Sequence, residues 1–531
     1  MLARAVRTTA RELVKRIYPI LLACAALLVI APSALAAKHH RRGPAGVQHL
    51  HFRYGPLHIR PGSNLILLGQ TKPTEKPSED GYVTRIAPNL VTTKGVVPPT
   101  YKLHLHHGVW LNTGAQDATW PGLPERFFAS GEEKTAFSIP APYGYPVKAT
   151  DHWLINYMIH DLTNKPYDVY ITYNVDFVPL HSKLGRRMKP VKPVWMDVQN
   201  LHSYPVFDVL RGSGTNGRFT YPDQADHPYG NGPALNQWTL PYDATLVATA
   251  GHLHPGGLYD DLMAVRPGTA VTARKGGPVP GDVPDSVRLF RSHAHYFGHR
   301  DPTSWDVAMT ATSKNWRVHL RKGDVLRTTT TYDSKLGSWY ESMGIMMVYL
   351  AQNSKKGVDP FAHAVPLKGH LTHGHLPENN VHGGTAPRLA NPLSLPAVPV
   401  ANNTVKIEDF KYQQGDLSAG GTAKDPPQVP FGQSLTFVNG DGTPLTPFNL
   451  QISHSITACQ APCNLSTGVS YPIANGAGGF DSGQLGFGRA GFTAFNNKQT
   501  WQTPPNLPVG TYTYFCRIHP FMRGSFRVVT G

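Results

Sequence analysis

The side chains best equipped for chemistry in this sequence are imidazoles: 26 histidines stand against 4 cysteines in 531 residues. Near the C-terminus, Cys516-Arg-Ile-His519-Pro-Phe-Met522 places a thiol, an imidazole and a thioether at three-residue intervals, and His454 lies upstream in Ser-His-Ser-Ile-Thr. A thiolate with two imidazoles holds copper in a trigonal arrangement, and a thioether adds a weak axial bond. A short loop carrying three of the four ligands keeps one geometry for Cu(I) and Cu(II), which suits one-electron transfer. His454, Cys516, His519 and Met522 are therefore expected to form one type 1 copper centre. The remaining cysteines agree with this. Cys24 falls in an N-terminal apolar run, Cys459 and Cys463 lie close enough to pair as a disulfide, and Cys516 is left for the metal.

Four H-x-H pairs stand further forward: His104/His106, His252/His254, His293/His295 and His373/His375. In a strand, residues i and i+2 face the same way, so such a pair can grip one ion from a rigid platform. A multicopper oxidase would need a Cys flanked by two His. Cys516 sits between Phe515 and Arg517, which excludes it. His293-Ala-His295 with His299 reads as a surface loop or an entry site. Gly369-His-Leu-Thr-His-Gly-His375 with His382 reads as a further metal site or a solvated loop.

Two resemblances follow from these motifs. The C-terminal quarter resembles the cupredoxins, and within them the amicyanins, in its ligand spacing, its Pro-Phe-Met-Arg-Gly continuation and Phe480-Asp481-Ser482-Gly483. That likeness implies a one-electron carrier. The front part carries His106-His107 after Tyr101-Lys-Leu-His-Leu, His160 at the end of Trp153-Leu-Ile-Asn-Tyr-Met-Ile-His, His252-Leu-His254-Pro-Gly-Gly-Leu, and Trp339-Tyr-Glu-Ser-Met343-Gly. In that order these motifs resemble the copper type II ascorbate-dependent monooxygenases, the peptidylglycine α-hydroxylating and dopamine β-monooxygenase family. The resemblance implies two further mononuclear copper centres: His106, His107 and His160 at an electron-transfer copper, and His252, His254 and Met343 at a catalytic copper that binds dioxygen. Glu-Ser-Met-Gly here stands where that family has Glu-Met-Cys-Asn, and residues 38–458 contain no cysteine.

Short strands must position all of these groups. Apolar residues make up 40% of the chain and charged ones 16%, with 51 Gly and 48 Pro. This is too apolar for disorder and too rich in turn formers for a helical bundle. The expected fold is all-β: two monooxygenase-like β-sandwich halves at 95–195 and 196–360, then a cupredoxin Greek-key β-sandwich at 403–531. Residues 37–94 are expected as an N-terminal extension and 361–402 as a His-rich loop with a Pro-rich linker. Strands are expected at Val405–Phe410, Ser434–Val438, Phe448–Ile452 and Thr511–Phe515.

Residues 1–36 combine a basic start, an apolar run from Ile17 to Ile30 and Ala34-Leu35-Ala36, the three-part layout of a secretory signal peptide. The expected location is secreted or extracytoplasmic. The net charge of +16 suits contact with an anionic cell envelope, whereas nucleic acid is excluded because no basic block is interleaved with aromatics. The partners expected are a redox donor or acceptor and, for a catalytic front part, a small-molecule substrate with dioxygen. The alternative reading is a non-catalytic electron-transfer or copper-handling protein.

Overall fold

The computed structural model describes residues 41–42, 46–63, 71–198, 206–225, 236–269, 285–297, 304–379, 389–419, 421–441, 452–465, 472–486 and 498–531. The expected signal segment lies outside them, and no described helix is long and apolar enough to cross a membrane. Strands joined by loops and short 3-10 turns account for every described element, so the chain is all-β.

The first half is two sheets face to face. In one, Tyr167–Pro179 pairs antiparallel with both Gln48–Ile59 and Gly81–Thr92. In the other, Leu103–Gln116 lies between Trp153–Asp161 and Pro124–Gly131. Alternate side chains of each sheet meet in a common core, where Trp110 of the second sheet packs edge-on against Tyr173 of the first at 5.5 Å. Gln48–Ile59 and Gly81–Thr92 thus flank Tyr167–Pro179 on either side. The stretch 37–94, expected as an extension, supplies two of the first sheet's long strands.

Lys192–Asp197 carries the chain into the next sheet, pairing with Gly344–Gln352. From there a continuous hydrogen-bonded path runs through Ala244–Leu253, Val307–Thr312, Ser286–Tyr296, Gly257–Val265 and Val325–Asp333. Leu246, Leu262, Phe290, Leu326 and Val348 from along this path meet in one buried core with Trp316. Gly369–Leu371, expected within the loop and linker, adds to Val307–Thr312 as a further strand.

The last part is a sandwich of two mixed sheets. Thr404–Glu408 runs parallel to Thr436–Asn439 in one, and Pro427–Pro430 runs parallel to Arg523–Val529 in the other. Gly510–Phe515 pairs antiparallel with Arg523–Val529, so the chain reverses through residues 516–522. Three of the four strands expected here are present; Phe448–Ile452 falls outside the described residues except at its last position. Residues 389–395 pack back on this sandwich, with the fully buried Arg523 donating to the carbonyls of Ala390 and Pro462.

Candidate metal centres

The reversal between Gly510–Phe515 and Arg523–Val529 carries Cys516, His519 and Met522, all fully or almost fully buried. The Met522 N–H donates to the His519 carbonyl and the Cys516 N–H to the Met522 carbonyl, so the loop closes on itself. Cys516 Sγ lies 3.8 Å from His454 Nδ1 and 3.9 Å from His519 Nδ1, and the two imidazole nitrogens are 3.2 Å apart. An ion centred in that triangle would be about 2.1 Å from each corner, within the range of metal–nitrogen and metal–sulfur bonds. The donor set fits copper. Backbone N–H groups of Ser455 and His519 also point at the sulfur, at 3.4 and 3.3 Å. Asp441 accepts from His454 Nε2 at 2.9 Å and so orients the ring. Burial works to lower the His454 pKa, but the bonds to Asp441 and Cys516 outweigh it and push the value up to about 9. Cys459 and Cys463 form a disulfide and Cys516 is a free thiol.

The front part gathers its histidines where its two halves meet. His104 and His106 leave Leu103–Gln116 on one face, and strand register sets His104 directly across from His160. The ligand atoms of His104, His106 and His160 all lie within 4.8 Å of one another. His107, expected in this group, is not in it. A register shift between Leu105 and His107 interrupts the strand there, and the His107 ring lies 5.7 Å from that of His106. His104 takes its place.

Two groups that the sequence reading missed complete the cluster. Glu132 and Glu133, both with no exposed surface, follow the end of Pro124–Gly131. Glu132 Oε1 lies 2.5 Å from His254 Nδ1, and its Oε2 lies 3.4 Å from His106 Nδ1. Glu133 Oε2 lies 3.0 Å from His252 Nδ1. His106, Glu132 and His254 therefore form a second set of mutually close donors. A Cβ on Gly131 would stand 2.3 Å from the His106 carbonyl and 2.8 Å from His252 Cε1, so only glycine lets the two carboxylates approach. The hint in the sequence is an adjacent Glu pair after the apolar run Phe127-Phe-Ala. Met343 falls opposite His254 by extension of the register Leu253↔Gly344. Its backbone is tied to the Tyr332 hydroxyl, which also accepts from the His254 N–H. Its side chain belongs to the apolar core, and Glu132 is the group found against His254.

Electrostatics favour the neutral, ligand-competent imidazole at five of these histidines. Burial lowers the pKa of His104, His106 and His254 well below the usual value, that of His107 to about 3 and that of His160 to about 4. Burial, reinforced by the Glu133 charge, pushes Glu132 well up. His104 Nε2, His160 Nδ1, His254 Nε2, both nitrogens of His106 and Oε2 of Glu132 are buried without hydrogen-bond partners. So many uncompensated polar atoms in one place are costly unless a cation satisfies them. The other paired histidines differ. His293 and His295 are exposed on Ser286–Tyr296, and His299 and His382 lie outside the described residues. His375 pairs with the buried Asp306, and His373 Nε2 lies 2.5 Å from the Glu133 carbonyl.

The two regions touch. His160 Nε2 donates to the carbonyl of Ile518, inside the ligand loop, at 2.7 Å. His519 Nε2 donates to the Gly62 carbonyl of the first half at 3.0 Å. The rings of His160 and His519 are 6.4 Å apart. Beside this contact lies a cavity of about 60 Å³ whose walls include His106, His160, His254, Trp305 and Ile518.

No family model matches the chain, and no curated protein matches it. Among solved structures, it is similar to a purple cupredoxin from Nitrosopumilus maritimus at 17% identity, over 24% of this chain and 98% of that one, with a TM-score of 0.15. Amicyanin from Paracoccus versutus matches at 20% identity over 27% of this chain and 92% of its own, TM-score 0.13. A copper-containing nitrite reductase from Thermus scotoductus matches at 13% identity over 55% of this chain and 59% of its own, TM-score 0.17.

Proposed function

We propose that the chain is an exported copper protein in which a type 1 centre on His454, Cys516, His519 and Met522 exchanges single electrons with metal held by the front histidines. The observation that carries this reading is the His160 to Ile518 hydrogen bond. Cys516, Arg517 and Ile518 form a covalent run from the sulfur ligand to the carbonyl that His160 grips, so one short path of bonds joins the two donor clusters. Copper, when bound, supplies one-electron redox chemistry at each. The protein's own residues hold the ligands in place, keep the imidazoles of His104, His106, His160 and His519 neutral and exclude bulk water. Asp441 fixes His454, Thr100 accepts from His104 Nδ1 at 2.6 Å, and Trp305 covers His104 at 4.6 Å.

The finer reading is a monooxygenase-like front part that activates dioxygen against a C–H bond, with His252, His254 and Met343 around the reactive metal. The cavity of about 60 Å³ has room for only a few water-sized groups, so the molecule admitted beside His106 and His254 is small. The non-catalytic alternative, a carrier whose front part stores copper, makes a different prediction. Anaerobic reduction of the full chain followed by an oxygen pulse separates them. In the enzyme reading the blue band returns faster than in a His160→Ala variant, and oxygen is consumed. Equal rates without oxygen consumption leave the storage reading.

A further inference from the structure

We infer that His106 bridges two metal ions through the two nitrogens of its ring, making the front cluster one dinuclear unit. This rests on the proposed metal binding of the front part. His106 is the residue common to both sets of close donors, His104 with His160 and Glu132 with His254. The first set comes from paired neighbouring strands within one half. The second reaches across to His254 of the other half, so His106 sits at the seam between them. Its Nδ1 is 3.4 Å from Glu132 Oε2, too far for a committed hydrogen bond, and neither ring nitrogen has a hydrogen-bond partner. The ring is 4% exposed, which leaves no solvent to satisfy them.

A neutral imidazole offers one lone pair. To serve two ions it gives up its remaining ring proton to solvent, and the second metal–nitrogen bond replaces the N–H bond. Metal–nitrogen bonds of about 2.0 Å on either side of the ring set the ions about 6 Å apart. The buried carboxylates Glu132 and Glu133 and the bridging anion would set three negative charges against the four positive charges of two dications.

The test uses the full-length chain loaded with Cu(II), oxidised with ferricyanide until a Cu(I)-specific chelator finds none. Copper is counted by elemental analysis and unpaired spins by integrated EPR. Two Cu(II) ions sharing one imidazolate pair their spins, so the expected result is three coppers but one spin per chain, that of the blue centre. In His106→Ala the blue band persists and every remaining copper contributes a spin. Should that variant lose its colour, loading the unaltered chain with mixed Cu(II) and Zn(II) replaces it, and the spin count rises as mixed pairs form. Three coppers with three spins, or two coppers with two, overturn the bridge while leaving the front part a copper site. One copper per chain overturns both. A single spin that survives in His106→Ala beside three coppers, or one unmoved by zinc, also overturns the assignment of His106.

Discussion

The two donor clusters of this chain are built in opposite ways. The C-terminal site takes three of its four ligands from one seven-residue reversal between two paired strands, and its fourth from a neighbouring segment. The front cluster takes six imidazoles and two carboxylates from Leu103–Gln116, Trp153–Asp161, the loop after Pro124–Gly131 and Ala244–Leu253 with the residue after it. In the first case local chain geometry sets the ligand distances. In the second, sheet register and the packing of two halves set them, so a small backbone change can disperse the cluster. The first should tolerate changes elsewhere in the fold, and the second should not.

Substitutions should expose that difference. The largest effect is expected for Cys516→Ser, which should abolish the intense blue absorption altogether while front copper stays bound; an absorption spectrum with a copper count checks both. Gly131→Ala should do the reverse. Its new Cβ meets the His106 backbone at 2.3 Å, so front copper should be lost while the blue band is kept, and retention of all copper would show that the cluster is more forgiving than its construction implies. Asp441→Asn leaves the ligands in place but weakens the orientation of His454, and a loss of about 10–100-fold in copper affinity at the blue site alone is expected from competition titrations. Met343→Ala tests the remaining family ligand. A several-fold fall in Cu(I) affinity at one front site supports thioether ligation, and unchanged affinity with reduced thermal stability returns Met343 to the core.

The smallest effect concerns the strand pair beside the cavity. The Asp208 carboxyl is raised to about 8, first by burial and then by the Glu341 charge. Its protonated form is thus favoured by folding, so its contribution is full below about pH 4 and is lost as the pH rises through about 8. Melting temperature should fall over that window, and Asp208→Asn should flatten the fall.

Much of the C-terminal site was legible because residue type and spacing are nearly sufficient when ligands share one loop. Cys516, His519 and Met522 meet because 516–522 must reverse between paired strands, and the pairing of Cys459 with Cys463 follows from their separation of four residues. The front cluster was legible only in part. The motifs drew attention to His106, His160 and His254, and these do converge. His107 falls outside the set of close donors, beside a register shift between Leu105 and His107 that no residue type announces. The H-x-H pattern marked His104 beside His106 although the family resemblance left it out, and nothing gave a reason to bring Glu132 from a neighbouring loop against His254. The boundaries behaved likewise: Gln48–Ile59 has the composition of a peripheral strand, with His, Arg and Gly among its apolar residues, and its place beside Tyr167–Pro179 comes from partners more than a hundred residues away.

Composition and local spacing by themselves settled that this is a strand-built chain with a thiolate–imidazole–thioether loop near its end. They could do so because turn formers, alternation and ligand intervals act over a few residues. Tertiary structure alone decided that the buried front imidazoles share their site with two carboxylates, and that one of them, His160, grips the ligand loop of the other centre. Those contacts join residues separated by up to 358 positions. They depend on strand register and on the meeting of separately folded sheets, neither of which a linear interval encodes.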